Sequence, residues 1–484
     1  MSRMNVKLRY FLVILAVVVL ISKPALASEA AQASHSYHFN GTKLANWWVL
    51  PFAGMLISIA LGPLCFPHFW KHHFGKTALI WALLFLIPST LIFGRTVTTY
   101  AVVETLLLEY LPFVILLLAL FTITGGIHLT GTLVGTPHLN TLLLLIGTFI
   151  ASLVGTTGSA MLLIRPVLRA NAHRRYRVHT IIFFIFLVAN IGGSLTPLGD
   201  PPLFLGFLKG VSFFWTVTHL FTKTIFMATT LLLIYILIDI ILYNREGRPK
   251  LTLDSSHKPF GFTGSINFPL LAGVVLMVLI SGLWRSGIKI HVWADIFLDF
   301  QNLTRDTVLL GLTGLSLVLT KPEVRRSNNF TWGPILEVAK LFAGIFITMI
   351  PAIAILRAGS EGNLRNLVAL ATSFNGQPLN YTYFWLTGIL SSFLDNAPTY
   401  LVFFNMAGGE AKTLMTTLPD TLTAISAGAV FMGANTYIGN APNFMVRAIA
   451  EGQGVKMPSF FGYMVWSLGI LIPLFVIITF IFFT

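Results

Sequence analysis

The sequence predicts an all-α polytopic membrane protein built from two inverted repeats, and three observations carry the prediction. First, 55% of the 484 residues are hydrophobic and only 10% are charged, where a soluble domain carries roughly 25% charged residues. Mean hydropathy is +0.81. A soluble fold has no way to hide that much apolar surface, so the solvent is lipid. Second, apolar runs of spanning length recur near 47–66, 77–94, 110–131, 222–243, 267–284, 306–320, 334–356 and 460–483. Third, four further apolar stretches, 141–168, 180–208, 382–405 and 421–447, are interrupted by turn residues and occupy matching places in the two halves.

From the N-terminus, Arg3, Lys7 and Arg9 precede an apolar stretch from Tyr10 to Ser22, and Ala25-Leu26-Ala27 follows it. The stretch is shorter than the about 20 residues a spanning helix needs. It reads as a cleaved signal peptide over 1–27, with a retained N-terminal helix as the alternative. Residues 28–46 then form a periplasmic tail, 47–243 a first transmembrane repeat, 244–264 a cytoplasmic linker and 265–484 a second repeat. The longest polar loop, Tyr243–Gly264, is too short to fold alone. The single cysteine, Cys65, lies in an apolar run and reads as a buried small side chain; it excludes a disulfide framework and a thiolate metal site.

The net charge of +14 does not point to nucleic acid, because the basic residues sit in short loops between apolar runs. That is the inside-positive pattern of membrane topology. Lys71 to Lys76, Arg165 to Arg177, Arg245 to Lys258 and Lys321 to Arg326 are all expected on the cytoplasmic side of a bacterial inner membrane. For all four to be inside, 141–168 must enter and leave on that side as a re-entrant hairpin. By the same logic 382–405 is a hairpin entered from outside. Each half then has five crossings and one hairpin, and an odd number of crossings inverts one half relative to the other.

A shift of 240 residues superposes the broken regions. Ser152 falls on Ser392, Gly193 on Gly433, Thr196 on Thr436, Gly199 on Gly439, Pro202 on Pro442 and Phe204 on Phe444. Asp200 falls on Asn440 and Ser159 on Thr399.

These regions hold the candidate chemistry. The first half offers Gly155–Ser159 (GTTGS) and Asn190–Pro202 (NIGGSLTPLGDPP), the second Ser391–Thr399 (SSFLDNAPT) and Gly433–Pro442 (GANTYIGNAP). Gly193, Gly199, Pro201, Pro202, Pro398, Gly433, Gly439 and Pro442 interrupt the backbone ladder. Backbone groups freed in hydrocarbon cost several kcal/mol each if left unpaired, so the breaks are expected to line an enclosed or ion-binding cavity. Half-helix N-termini aim partial positive charge there, and C-termini aim carbonyl oxygens. Asp200 and Asp395 each lie deep in an apolar stretch. An intramembrane carboxylate costs a few kcal/mol or more and persists when it pairs with a cation or takes up a proton. Both are candidates for alternating sodium and proton occupancy. Asn396, Thr156, Thr157, Ser159, Asn190, Thr196, Asn435, Thr436 and Asn440 supply further oxygen ligands suited to a hard cation.

The remaining charges carry blander expectations. Glu104 and Glu109 are expected to face water near an outer helix end, and Asp239 to be interfacial. Glu337 and Lys340 are expected to pair on one helix face. Arg165, Arg357 and Arg447 read as snorkelling side chains at element ends. His128 reads as a satisfied histidine inside a helix. No G-x-x-x-x-G-K-[ST] or H-E-x-x-H motif occurs, so neither ATP-driven transport nor an enzyme is expected.

At the hairpin and broken-helix motifs the chain resembles the ion-transporter superfamily of NhaD-type sodium/proton antiporters, arsenite permeases and citrate or dicarboxylate carriers, over nearly the whole mature chain. Ser391 to Pro398 is similar to the Asp-Asn hairpin motif of NhaD-type antiporters, and Gly199-Asp200 to their Gly-Asp in the first broken helix. The resemblance implies that Asp200, Asp395 and Asn396 take part in cation binding. It departs at the first hairpin, where Thr156-Thr157 stands in place of an Asp-Asn pair. The expected function is secondary transport, sodium/proton antiport first and cation-coupled uptake of citrate or another carboxylate second. No cofactor is expected beyond the transported sodium and protons. The expected partners are small ions or a small carboxylate and the bilayer, and a homodimer is one compatible assembly.

Overall fold

The computed structural model describes residues 37–131, 133–249, 261–373 and 375–484. The signal peptide expected over 1–27, the first part of the tail (28–36) and the centre of the linker lie outside the described residues.

The chain is mostly helical. In the first half α1 (Asn46–Cys65), α2 (Pro67–Phe93) and α3 (Arg95–Thr124) are long and apolar. They are followed by α4 (Pro137–Val154) and α5 (Thr156–Ala170), which meet at Gly155. Next come α6 (Val178–Leu187), an irregular segment and α7 (Pro201–Leu208), and then α8 (Phe213–Arg245). The second half follows the same order. Its helices are α9 (Asn267–Leu283), α10 (Phe300–Leu319), α11 (Gly333–Arg357), then α12 (Asn380–Phe393) and α13 (Asn396–Met406) meeting at Asp395. It ends with α14 (Pro419–Met432), a break, α15 (Ala441–Gly452) and α16 (Phe460–Phe482). Among the described residues seven helices are long and apolar enough to cross a membrane, and they include the hairpin arm α4.

The outer helices and the central ones differ in what they bury. On α2, Leu79, Leu84, Ile87 and Leu91 are exposed, as expected of a face solvated by lipid tails. By contrast α6 is buried on every side from His179 to Leu187, the pattern of a helix enclosed by others. The halves interlock around it: α5 packs on α15, and α13 packs on α7, so each hairpin's second arm lies against the broken helix of the other half.

Hydrogen bonds gather the basic loops at one end of the bundle. Arg325 Nη1 donates to Thr122 O (2.8 Å), Arg177 Nη2 to Gly454 O (3.2 Å) and Arg169 Nη2 to Leu129 O (2.7 Å). Burial pushes the Arg325 guanidinium, in the loop after α10, down to about 10.

Several expectations need correction. Helix α3 ends at Thr124 before the Gly125-Gly126 pair, so His128 is not helical. It lies in strand β1 (His128–Thr130), paired antiparallel with β2 (Gly261–Thr263), and its Nδ1 sits 2.8 Å from Asn328 Oδ1. A second hairpin joins β3 (Lys289–Trp293) to β4 (Ile296–Asp299). Its alternately exposed strands carry too few residues to register against the helical runs. Cys65 is exposed, because its position on α1 faces outward.

Candidate ion-binding site

Both broken regions are closed by the same side-chain bonds, 240 residues apart. Ser152 Oγ donates to Gly192 O, as Ser392 Oγ does to Met432 O (3.1 Å). Thr196 Oγ1 donates to Ser152 O, and Thr436 Oγ1 to Ser392 O. The amides of Leu198 and Ile438 each donate back to those threonine hydroxyls at 3.2 Å. Backbone groups that lose their helical partners at the breaks are thereby satisfied in place. Glycine is required where the loops cross: a Cβ on Gly199 would lie 2.1 Å from Gly193 O, and one on Gly439 2.6 Å from Gly433 O. At the first hairpin tip Gly155 has φ +86°, which a side chain would strain.

The four broken elements converge on Asp200, 1% exposed, at the start of α7. Thr156 Oγ1 donates to its Oδ1 (2.9 Å), Asn440 Nδ2 to the same oxygen (3.2 Å), and Asn396 Nδ2 to Oδ2. The donors come from the first turn of α5, the residue before α15 and the first turn of α13. Four helix N-termini therefore surround one carboxylate, an arrangement that favours negative charge. All three hydrogen-bonding side chains are neutral. The Thr156 amide also donates to Gly199 O (2.8 Å), fixing the first hairpin tip against the break.

Asp395 caps α13, accepting from the Ala397 amide (3.1 Å). It is partly exposed, and with Asp200, Thr156, Thr157 and Asn440 it lines a cavity of about 780 Å³. The remaining lining is largely apolar, and Lys71 and Glu337 are its other charged residues. Among the described residues the buried oxygens Asn396 Oδ1, Ser159 Oγ and Asn435 Oδ1 have no hydrogen-bond partner. Among the described residues no cluster of three or more His, Cys, Asp or Glu side chains forms.

The other candidates lie in a second layer. Asn190 Oδ1 accepts from Asn440 Nδ2 (3.2 Å), and its own Nδ2 donates to Asn443 Oδ1 (2.7 Å). Asn443 Nδ2 in turn binds Gly433 O and Thr436 O at 2.8 and 2.9 Å. The Thr196 and Thr436 hydroxyls are committed to backbone carbonyls, and Asn435 Nδ2 donates to Ser392 Oγ (2.9 Å). Asn443 escaped the sequence reading because the 240-residue shift places it on Leu203.

Four charged residues have surroundings that their spacing alone did not predict. Asp239, near the end of α8, is completely buried. Arg174 Nη2 lies 2.7 Å and His179 Nε2 2.9 Å from its Oδ1, and Tyr235 Oη and Asn140 Nδ2 donate to Oδ2 at 3.0 and 3.1 Å. Arg174 Nε also meets Glu246 Oε1 at 2.6 Å. Burial disfavours the Arg174 charge, but the bonds to Asp239 and Glu246 outweigh it and leave its pKa raised. Glu109 is ion-paired with Lys209 rather than facing water. Glu337 lines the cavity, while Lys340 lies over the Phe74 ring (5.5 Å), so each is engaged elsewhere.

Comparison with known proteins follows the same lines. Uncharacterized transporters of Mycobacterium bovis and Mycobacterium tuberculosis are each 25% identical over 341 residues, 67% of this chain and 72% of theirs. The family model described as "Putative citrate transport" matches residues 41–483. This chain, a multi-pass membrane protein broken at two paired hairpins, belongs to that citrate-transport family of transporters.

Proposed function

We propose that the chain is a secondary active transporter of a bacterial inner membrane that exchanges sodium for protons at the Asp200–Asp395 site. The observation that carries this reading is a buried carboxylate whose hydrogen-bonding side chains are all neutral. Such a group needs a compensating charge at membrane depth, and a transported cation and a proton are alternative ways to supply it. Asp395 in the same cavity and the unpartnered oxygen of Asn396, whose amide bonds Asp200, add ligands of the kind a hard cation takes. Competition between the two occupants of one site is itself a coupling mechanism.

The recurrent bonds at 240-residue spacing support a reading of the two halves as inverted repeats. Alternating access then comes from movement of the interlocked hairpins and broken helices against the outer helices. The test is sodium-driven dequenching of a pH probe in everted vesicles. The expected result is a sodium-dependent signal that Asp200→Asn and Asp395→Asn each abolish. Full activity in Asp395→Asn removes that residue from the site.

A second reading is cation-coupled uptake of citrate or another carboxylate. It is favoured by the family's description and by the four helix N-termini gathered at the cavity, a setting that suits anions. Labelled citrate uptake that depends on a sodium or proton gradient, with no sodium-driven proton movement, decides for it.

A further inference from the structure

The cavity stops short on one side, and the residues that stop it are not those of the ion site. Along α3 its lining includes Phe121, Leu117 and Phe113. These stand four residues apart, on one helix face. The next position on that face is Glu109, about 6 Å further along the helix at 1.5 Å per residue. Between cavity and Glu109 lies an aromatic layer. Phe113 stacks near Phe342 (centroids 4.7 Å apart) and Phe346 (6.0 Å), and Tyr110 meets Phe346 (6.2 Å) while its hydroxyl donates to Ala339 O (2.9 Å). Beyond that layer Glu109 pairs with Lys209, with only 16% and 17% of their side chains exposed. Glu109 sits on a π-helical turn of α3, Leu106–Tyr110, a local irregularity frequent at functional sites. Lys209 caps the end of α7 opposite Asp200.

We propose that Glu109 and Lys209 form the gate on the sealed side. Their ion pair holds the broken helix of the first half against α3 and keeps Asp200 and Asp395 shut off from that end. A further tie in the second half joins different elements, Arg357 Nε at the end of α11 donating to Asn405 Oδ1 on the hairpin arm α13 (2.7 Å). The cavity reaches the other end, where Lys71 on α2 and Pro334 and Glu337 on the first turns of α11 line it. For cargo to leave on the sealed side, α7 must part from α3. The Glu109–Lys209 pair is what separates, and Glu109 Oε2, buried without a partner among the described residues, is left as the first acceptor on the opened path. This proposal rests on the alternating-access reading above, but not on which cargo moves.

The test measures accessibility and needs no cargo. Cys65 is the only cysteine of the chain, so Cys65→Ser gives a cysteine-free background in one step. Leu117→Cys then places a reporter in the cavity wall, and a membrane-impermeant maleimide is applied to each side of vesicles of known orientation. With the pair intact, labelling is expected from the basic end. Glu109→Gln and Lys209→Met are each expected to raise labelling from the opposite end about fivefold or more. Glu109→Lys combined with Lys209→Glu is expected to bring it back down, and monodisperse elution checks that each variant is folded. Unchanged labelling from the sealed end in both single variants overturns the gate. A rise in the exchanged pair equal to that in the single variants assigns the effect to packing and overturns it too. Failure of the sodium assay alone leaves the labelling result standing, so the two readings fail separately.

Discussion

Asp200 and Asp239 are both buried carboxylates, 1% and 0% exposed, and their surroundings are opposites. Asp239 meets the Arg174 guanidinium, lies 2.9 Å from His179 Nε2 and accepts from Tyr235 and Asn140, and Arg174 is held in turn by Glu246. Asp200 is bonded by three neutral side chains. The first arrangement sets a guanidinium directly against the carboxylate. It clamps the loop at the base of the first hairpin to α6 and α8. The second is satisfied in hydrogen bonds but not in charge, so it has a use for a mobile cation. Depth and burial alone do not separate structural from functional acids in a membrane; the sign of the partners does.

The comparison is broken or sharpened first by stability. Asp239→Ala leaves Arg174 buried with half of its compensation gone. Removing one member of a buried ion pair costs about 3–5 kcal/mol, so this variant is expected to melt far below the parent in detergent. Asp200→Asn is expected to shift the melt far less, by about 1–2 kcal/mol, since the neutral donors keep one acceptor oxygen. Its sodium-driven flux is expected to fall to background. If Asp200→Asn melts as low as Asp239→Ala, Asp200 is a structural acid and the contrast collapses. Thr156→Val comes next. It removes one hydroxyl from a charged acceptor, a bond worth about 1.5–3 kcal/mol. The concentration of sodium that half-saturates exchange is therefore expected to rise roughly tenfold, read in the same vesicle assay, with the fold intact.

The sequence made one of these acids legible and hid the other. Asp200 stands among Gly199, Pro201 and Pro202 inside an apolar stretch, and such punctuation has no cheap structural use in hydrocarbon. Asp239 sits near the end of an unbroken helix, where an interfacial carboxylate is the ordinary reading. Its partners Arg174 and His179 are more than fifty positions away, and only packing brings them near. The Glu109–Lys209 pair was hidden for the same reason. Asn443 was hidden because the halves are chemically unequal, so the repeat offered no echo of it. The break residues Thr196 and Thr436 show a different limit. Their positions were plain from the 240-residue shift, but whether a hydroxyl faces the cavity or the backbone is fixed by a side-chain rotamer that no spacing encodes.

Those two threonines give the finest test of the comparison. Each hydroxyl donates to a serine carbonyl and accepts from an amide two residues on. Valine keeps the shape and removes these bonds. Thr196→Val and Thr436→Val are each expected to cost about 1–3 kcal/mol as buried backbone groups lose a partner, Thr436→Val the more, because its hydroxyl also accepts from the Gly439 amide (3.1 Å). Neither hydroxyl bonds Asp200, so the half-saturating sodium concentration is expected to stay within about twofold of the parent, in contrast to Thr156→Val. A large sodium shift in Thr196→Val with none in Thr436→Val would mean that the first break reaches the ion directly, and that the satisfied backbone around Asp200 is part of its ligand field.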